Sequence, residues 1–228
     1  MLTPATTETG HVRHESTRAR GAPAIFQALL DEVELTGALM PFDRNAEVYG
    51  ENEPADYVYK VVTGSVRTYK LLNDGRRQID AFYLPGDIFG VELSDEHSCS
   101  AEAITDSMIL VVRRSLLLSA AEKNNALARR LWSHTARDLR RAQHHTLLLI
   151  KSAQERVAAF LLEMAERLSS TASLDLPMSR QDIADYLGLT IETVSRTLSQ
   201  LEDAATIALP ASRKVVLRNR TALNRLND

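Results

Sequence analysis

The sequence holds one cysteine, Cys99, among 228 residues. A single thiol supports neither a disulfide framework nor a protein-only cysteine cluster for zinc or iron–sulfur binding, and it fits a reducing, cytoplasmic setting best. No run of eighteen apolar residues occurs, and residues 1–23 mix Thr, Gly, Arg and His without an apolar stretch, so neither membrane insertion nor export is expected. A strong charge of either sign is also missing. The formal net charge is -3, which offers no global argument for a polyanionic partner. No nucleophile–base–acid constellation, phosphate-binding loop or metal-spaced His/Glu pair stands out, so no enzyme is expected.

What is present is unevenly distributed. Residues 1–23 read as a polar leader, and Ala24 to Leu39 as a short amphipathic helix. From about Ala46 to Val112, short β-branched and aromatic runs alternate with Gly, Pro, Asn and Asp, the pattern of an antiparallel β-barrel or roll, and residues 24–121 are taken as that domain. Its best local signal is Asn73-Asp74-Gly75, where Asp-Gly supplies the positive φ angles of a tight hairpin turn. Cys99 falls within the roll, where packing as a small hydrophobe is the commoner role and redox sensitivity the alternative.

Gly and Pro then vanish from about Glu122 to Leu168, and Leu, Ala, Arg and Gln predict long helix. Leu127, Leu131, Thr135, Leu139, Ala142, Thr146 and Leu149 recur at three- and four-residue steps and form one stripe. A stripe of that length asks for a partner: pairing with a second copy along a helix over residues 122–152 is the preferred reading, and packing on its own roll the alternative. Trp132 and the roll tyrosines are read as packing residues, and His134, His144 and His145 as solvated or interhelical rather than metal-bound. A second amphipathic helix carries Val157, Phe160, Leu161, Met164, Ala165 and Leu168 on one face, and Ser169 to Pro177 forms a linker.

Met178 to Leu209 contains two short helices and a tight turn. Ser179 caps Arg180 to Leu187, Gly188 ends that helix in the left-handed conformation, and Thr190 caps the next. Ile191, Val194, Leu198 and Leu201 would face inward, and Glu192, Ser195, Arg196 and Ser199 outward, a helix-turn-helix arrangement that fits the DNA major groove. Arg196 suits guanine O6 and N7, Glu192 suits cytosine N4, and Ser195 or Thr193 a thymine methyl or a phosphate. A surface ion pair of Glu192 with Arg196 is the other reading the sequence allows. Further on, Thr206 to Leu209 and Val215 to Leu217 form a hairpin around a turn at Pro210 to Lys214. Arg213 and Lys214 at its tip, with Ser179 and Gln181, are candidate phosphate contacts, the alternative for the tip being a solvated basic end. After Asp203 the chain carries Arg213, Lys214, Arg218, Arg220 and Arg225 against Asp228, an excess that can meet phosphates.

VVTGSVR (Val61 to Arg67) and LPGDIFG (Leu84 to Gly90) in the roll, the long helix, QERVAAFLL (Gln154 to Leu162) and DIADYLGLTIETVSRTLSQLE together resemble the CRP/FNR family of bacterial transcription regulators. The resemblance spans nearly the whole chain after the leader. It implies an α+β fold: an N-terminal antiparallel β-roll like a cyclic-nucleotide-binding domain, a long dimerisation helix, and a winged helix-turn-helix over residues 153–228. ETVSR (Glu192 to Arg196) is similar to the FNR and FixK branch. That similarity implies a homodimer whose Glu192, Ser195 and Arg196 read an inverted repeat like TTGA-N6-TCAA in double-stranded DNA. It also implies activation by contact with RNA polymerase, partly through the roll loop at Gly75 and Arg76.

Two departures narrow the resemblance. Glu92 is offset in FGVELSDEHSCSAEA and no arginine lies between Arg77 and Arg113, so a ligand phosphate would lack its cation and cAMP is not expected. The leader lacks the cysteines of the oxygen-sensing members, so no iron–sulfur cluster is expected either. The FixK-like subgroup fits best, which implies activity without a small-molecule effector and control of microaerobic or anaerobic respiration or nitrogen-metabolism genes. A regulator of the same family that depends on heme or another effector, and a protein-interaction module that binds no DNA, are the competing readings.

Overall fold

Runs such as YVYKVVT and SMILVVR, with inward- and outward-facing residues along each, pair into sheets in the computed structural model, which describes residues 37–169 and 172–227. Eight strands make the roll: β1 (Ala38–Phe42), β2 (Glu47–Tyr49), β3 (Tyr57–Thr63), β4 (Val66–Leu71), β5 (Arg77–Tyr83), β6 (Ile88–Phe89), β7 (Ser100–Ala103) and β8 (Ser107–Arg113). They form two antiparallel sheets, ordered β1-β8-β3-β6 and β2-β7-β4-β5. Register partners such as Val61 with Ile109 and Val66 with Ala103 are fully buried. Between the sheets, Tyr49, Tyr59 and Phe89 pack with ring centroids 5.1 to 6.1 Å apart.

The amphipathic helix read into Ala24 to Leu39 lies mostly outside the described residues, but its last two residues, Ala38 and Leu39, are strand. β1 pairs residue for residue with β8, so a long-range ladder overrides the local pattern and the roll begins before Ala46. Pro41 is tolerated there because β1 is an edge strand. The β4–β5 hairpin turns at Asn73-Asp74-Gly75 with one difference from expectation: Gly75 alone of the three has a positive φ, 83°. Asp74 contributes instead by accepting the Arg76 backbone N–H at 3.1 Å.

The long helical stretch is three helices: α1 (Arg114–Lys123), α2 (Asn125–Leu148) and α3 (Ala153–Arg167). Asn124 is extended and its side chain caps α2 by accepting from the backbone N–H groups of Ala126 and Leu127, at 2.9 and 3.1 Å. A capping box of Ser152 and Glu155 starts α3. The helix read over 122–152 is therefore shorter, roughly 36 Å at 1.5 Å per residue. His134 ties it to the roll: its Nε2 accepts the Ile88 backbone N–H at 3.0 Å while Nδ1 lies 2.9 Å from Asp138.

This attachment divides the candidate stripe. Leu127 is buried within its own chain on the side of His134 and Leu148, and Leu131 is half-buried, whereas Thr135, Leu139, Ala142, Thr146 and Leu149 are exposed. Leu127 thus belongs to the intramolecular face. Trp132, expected to pack, is 78 % exposed in the single chain, and at helical spacing it shares a face with Thr135, Leu139 (60 % exposed) and Thr146.

The C-terminal unit consists of β9 (Ser173–Asp175), α4 (Arg180–Leu187), α5 (Ile191–Asp203), β10 (Ile207–Ala211), β11 (Lys214–Leu217) and α6 (Arg220–Asn227). The stretch read as a linker is partly strand, because Leu174 buries itself opposite Val215 and completes a three-stranded wing sheet, β10-β11-β9. Leu168, assigned to the second amphipathic helix, is the C-cap of α3. The core around α3 continues into Ile79, Phe82 and Ile104 of the roll, so the two units share one hydrophobic cluster. Among the described residues no helix is long and apolar enough to cross a membrane.

Candidate nucleic-acid interface

Caps define the helix-turn-helix. The Ser179 hydroxyl and the Asp182 carboxylate form a reciprocal capping box at the start of α4. Gly188 ends α4 with φ 62°, a conformation that costs a β-carbon-free residue little. Thr190 caps α5 by accepting the Thr193 N–H at 3.2 Å. Val194, Thr197, Leu198 and Leu201 are buried, which turns Glu192, Arg196, Ser199 and Gln200 to solvent and leaves Thr193 and Ser195 half-buried. Ile191, expected inside, is 37 % exposed at the first position of α5.

Glu192 and Arg196 do not pair with each other, and both side chains are exposed. The Glu192 carboxyl is held below its ordinary range by its own backbone N–H and the Thr190 hydroxyl. The four candidate phosphate contacts differ in their freedom. The Ser179 hydroxyl is engaged by Asp182 at 2.8 Å, and the Gln181 amide donates to Asp185 at 2.7 Å. Arg213 lies in the wing turn and donates to the Pro177 carbonyl at 3.1 Å, while Lys214 opens β11, exposed, with Asp175 4.0 Å away. Ser179 and Gln181 are thus occupied by intramolecular bonds that any phosphate would have to displace.

Two features escaped the reading of the sequence. Arg180, at the first position of α4, donates from Nη1 to the Ser195 Oγ at 3.4 Å, joining the two helices. The second is an ionic clasp between roll and C-terminal unit. Arg67 and Arg77 meet on Asp182 Oδ1 at 2.9 and 2.6 Å; Arg67 also reaches Glu102 at 2.7 Å and Arg77 reaches Asp185 at 2.8 Å. Burial pushes the Asp182 carboxyl up, but the Ser179 donors and the two guanidiniums outweigh it and hold it below the usual carboxylate range. A parallel link joins Asp87 to Arg167 at 2.8 Å and to Arg141 at 3.3 Å. Asp87, raised by burial, is likewise brought below its ordinary value by Arg167, the Leu84 N–H and Arg141. His145 stacks on Tyr186 at 4.1 Å and contacts its carbonyl at 2.7 Å.

Between the roll and α2 lies a cavity of about 370 Å³. Asp80, Glu92, Asp138 and Glu163 line it beside Arg141 and Arg167, whose guanidiniums both bond Asp87. Cys99 lines it too, half-buried, and burial pushes its thiol up to about 11, which suits a packed residue and disfavours a reactive thiolate. Among the described residues no group of three or more His, Cys, Asp or Glu could hold a metal ion.

Two family models match: the Crp-like helix-turn-helix domain over residues 155–226 and the cyclic nucleotide-binding domain over residues 39–124. Over 220 residues the chain is 49 % identical to the nitrogen fixation regulation protein FixK of Azorhizobium caulinodans, covering 93 % of this chain and 89 % of that one. The chain belongs to the FixK-like branch of the CRP/FNR family. This FixK-like chain is also 44 % identical to the FixK of Rhizobium meliloti, over 79 % of its length and 82 % of the relative's. Its fold matches the solved structure of FixK2 from Bradyrhizobium japonicum with a TM-score of 0.81 and 53 % identity, covering 85 % of this chain and 98 % of that one. It is therefore a DNA-binding transcription regulator of that family. The cavity at the region that matches a cyclic nucleotide-binding domain is lined by four carboxylates, and its two guanidiniums both bond Asp87.

Proposed function

We propose that this FixK-like regulator is a homodimeric activator that reads an inverted repeat like TTGA-N6-TCAA without a small-molecule effector. In this reading it works in the cytoplasm on microaerobic or anaerobic respiration or nitrogen-metabolism genes, consistent with relatives named for the regulation of nitrogen fixation. The observation that carries it is the open face of α5, where Glu192 and Arg196 are exposed and unpaired with each other and Ser195 lies between them. Arg196 can take guanine O6 and N7 as a fork, and Glu192 accept from cytosine N4. The exposed Leu139, Thr135, Ala142 and Thr146 of α2 supply the face for a second copy, which gives the palindrome its two half-sites. Arg76, exposed at the hairpin tip next to Gly75, is the contact offered to RNA polymerase.

The effector-free reading is supported by the carboxylate-rich cavity and by the direct ties of Asp182 and Asp87 between the DNA-binding unit and the roll. Binding of the purified protein to a TTGA-N6-TCAA duplex, against one with its G·C pairs altered, tests the reading at a stated salt concentration and without added ligand. Nanomolar, sequence-dependent binding by a dimer is expected. Weak binding to both duplexes would refute the half-site or the effector-free claim, and a small molecule that restores binding would identify the latter.

A further inference from the structure

Serine and threonine hydroxyls inside helices commonly donate their proton to the carbonyl four residues back. Three on α2 do so: Ser133 to Arg129 at 2.8 Å, Thr135 to Leu131 at 3.1 Å and Thr146 to Ala142 at 3.0 Å. Ser195 on α5 does not. Its hydroxyl meets the Arg180 guanidinium instead, at 3.4 Å. A guanidinium carries only donors, so Ser195 Oγ has to act as the acceptor in that contact. Its own proton is then directed away from Arg180 and is not spent on the helix backbone.

We infer that Arg180 is a positioning residue for sequence recognition: it makes Ser195 a hydrogen-bond donor toward the major groove and so selects against cytosine at the base that Ser195 faces. The inference rests on the DNA-reading role proposed for α5. Thymine O4, guanine O6 and purine N7 are acceptors at the groove edge, whereas cytosine presents only its N4 amino donor. A hydroxyl whose proton is aimed away from Arg180 finds an acceptor for it on every base but cytosine, to whose N4 amino group it can offer only its second lone pair. The backbone that carries Arg180, at the first turn of α4, is set by the Ser179 capping box. The contact is long in the free protein, which leaves room for it to shorten when a base accepts the proton and makes Ser195 Oγ a better acceptor.

The test is a set of duplexes in which each half-site position is replaced in turn by all four bases, measured with the wild-type protein and with Ser195→Ala, Arg180→Met, Arg180→Lys and the Ser195→Ala/Arg180→Met double variant. Ser195→Ala flattens the preference at one position, which identifies the base that Ser195 faces. There the wild-type protein disfavours cytosine by about 10-fold or more. Arg180→Met brings that discrimination within about 2-fold while the preferences at the Glu192 and Arg196 positions persist; Arg180→Lys, which still donates, keeps most of it. The double variant is no less selective than Ser195→Ala alone. An Arg180→Met protein that binds every duplex more weakly by the same factor, with its selectivity intact, overturns the inference and leaves Arg180 as a plain phosphate contact. So does a Ser195-dependent position that prefers cytosine, or none at all. If Arg180→Met fails to fold, an Arg180→Lys variant that loses the discrimination overturns it as well. A wild-type protein indifferent to sequence at every position overturns the DNA-reading proposal itself, and this inference with it.

Discussion

Replacing Arg67 by methionine probes how the DNA-binding unit is held to the roll. The Arg67 side chain is 9 % exposed and bridges Glu102 (16 %) and Asp182 (5 %), so its charge sits largely out of water. Removing one member of a buried ion pair costs about 3–5 kcal/mol when the partner is stranded. Here the loss is cushioned: Asp182 keeps Arg77 at 2.6 Å and the Ser179 hydroxyl at 2.8 Å, while Glu102 is close enough to the surface to recover some hydration. A loss of about 2–3 kcal/mol is therefore expected, read as a lower urea midpoint by far-UV circular dichroism at unchanged slope. Because the stranded carboxylate causes most of that loss, adding Glu102→Gln to Arg67→Met should return stability to within about 1 kcal/mol of wild type. A single-variant loss below about 0.5 kcal/mol would refute the reasoning, since it would mean that Arg67 behaves as a solvated surface cation.

Acid should release the same clasp. The folded pKa of Asp182 is depressed, so its contribution is complete above the unfolded value of about 3.9 and is lost as pH falls through the folded one. The urea midpoints of wild type and Asp182→Asn should differ by a constant amount between pH 5 and 7 and converge below about pH 4; a constant difference down to pH 3 would contradict the assignment. Leu139→Lys places a charge on the open face of α2 and should shift sedimentation from dimer to monomer at micromolar concentration without loss of helix content, whereas an unchanged dimer would put the interface elsewhere. With its thiol near 11, Cys99 should react with iodoacetamide at pH 8 about 100-fold more slowly than an ordinary exposed cysteine, and complete labelling within minutes would contradict its packed environment.

Much of the helix-turn-helix was legible in the linear sequence because its signals are local. Ser179, Gly188 and Thr190 act on groups within a few residues of themselves, and the spacing of Val194, Leu198 and Leu201 declares a buried face without reference to the rest of the chain. The β4–β5 hairpin was readable at Gly75 for the same reason. Other features had no local signature. Ala38 and Leu39 look helical beside their neighbours and become strand only because β8 offers a ladder. Leu127 fits a dimer stripe by spacing alone, and only the orientation that His134 imposes on α2 buries it within its own chain.

The division follows the range of the forces involved. The helices of the helix-turn-helix, their caps, the outward residues of α5 and the motifs shared with CRP/FNR regulators were settled by residues close together in the chain, which a linear reading can see. The attachment of the DNA-binding unit to the roll was decided by tertiary structure alone: Arg67 and Asp182 stand 115 residues apart and are two unremarkable charges until folding brings them to 2.9 Å. The energy of such a pair depends on distance and burial, and neither exists before the chain is folded.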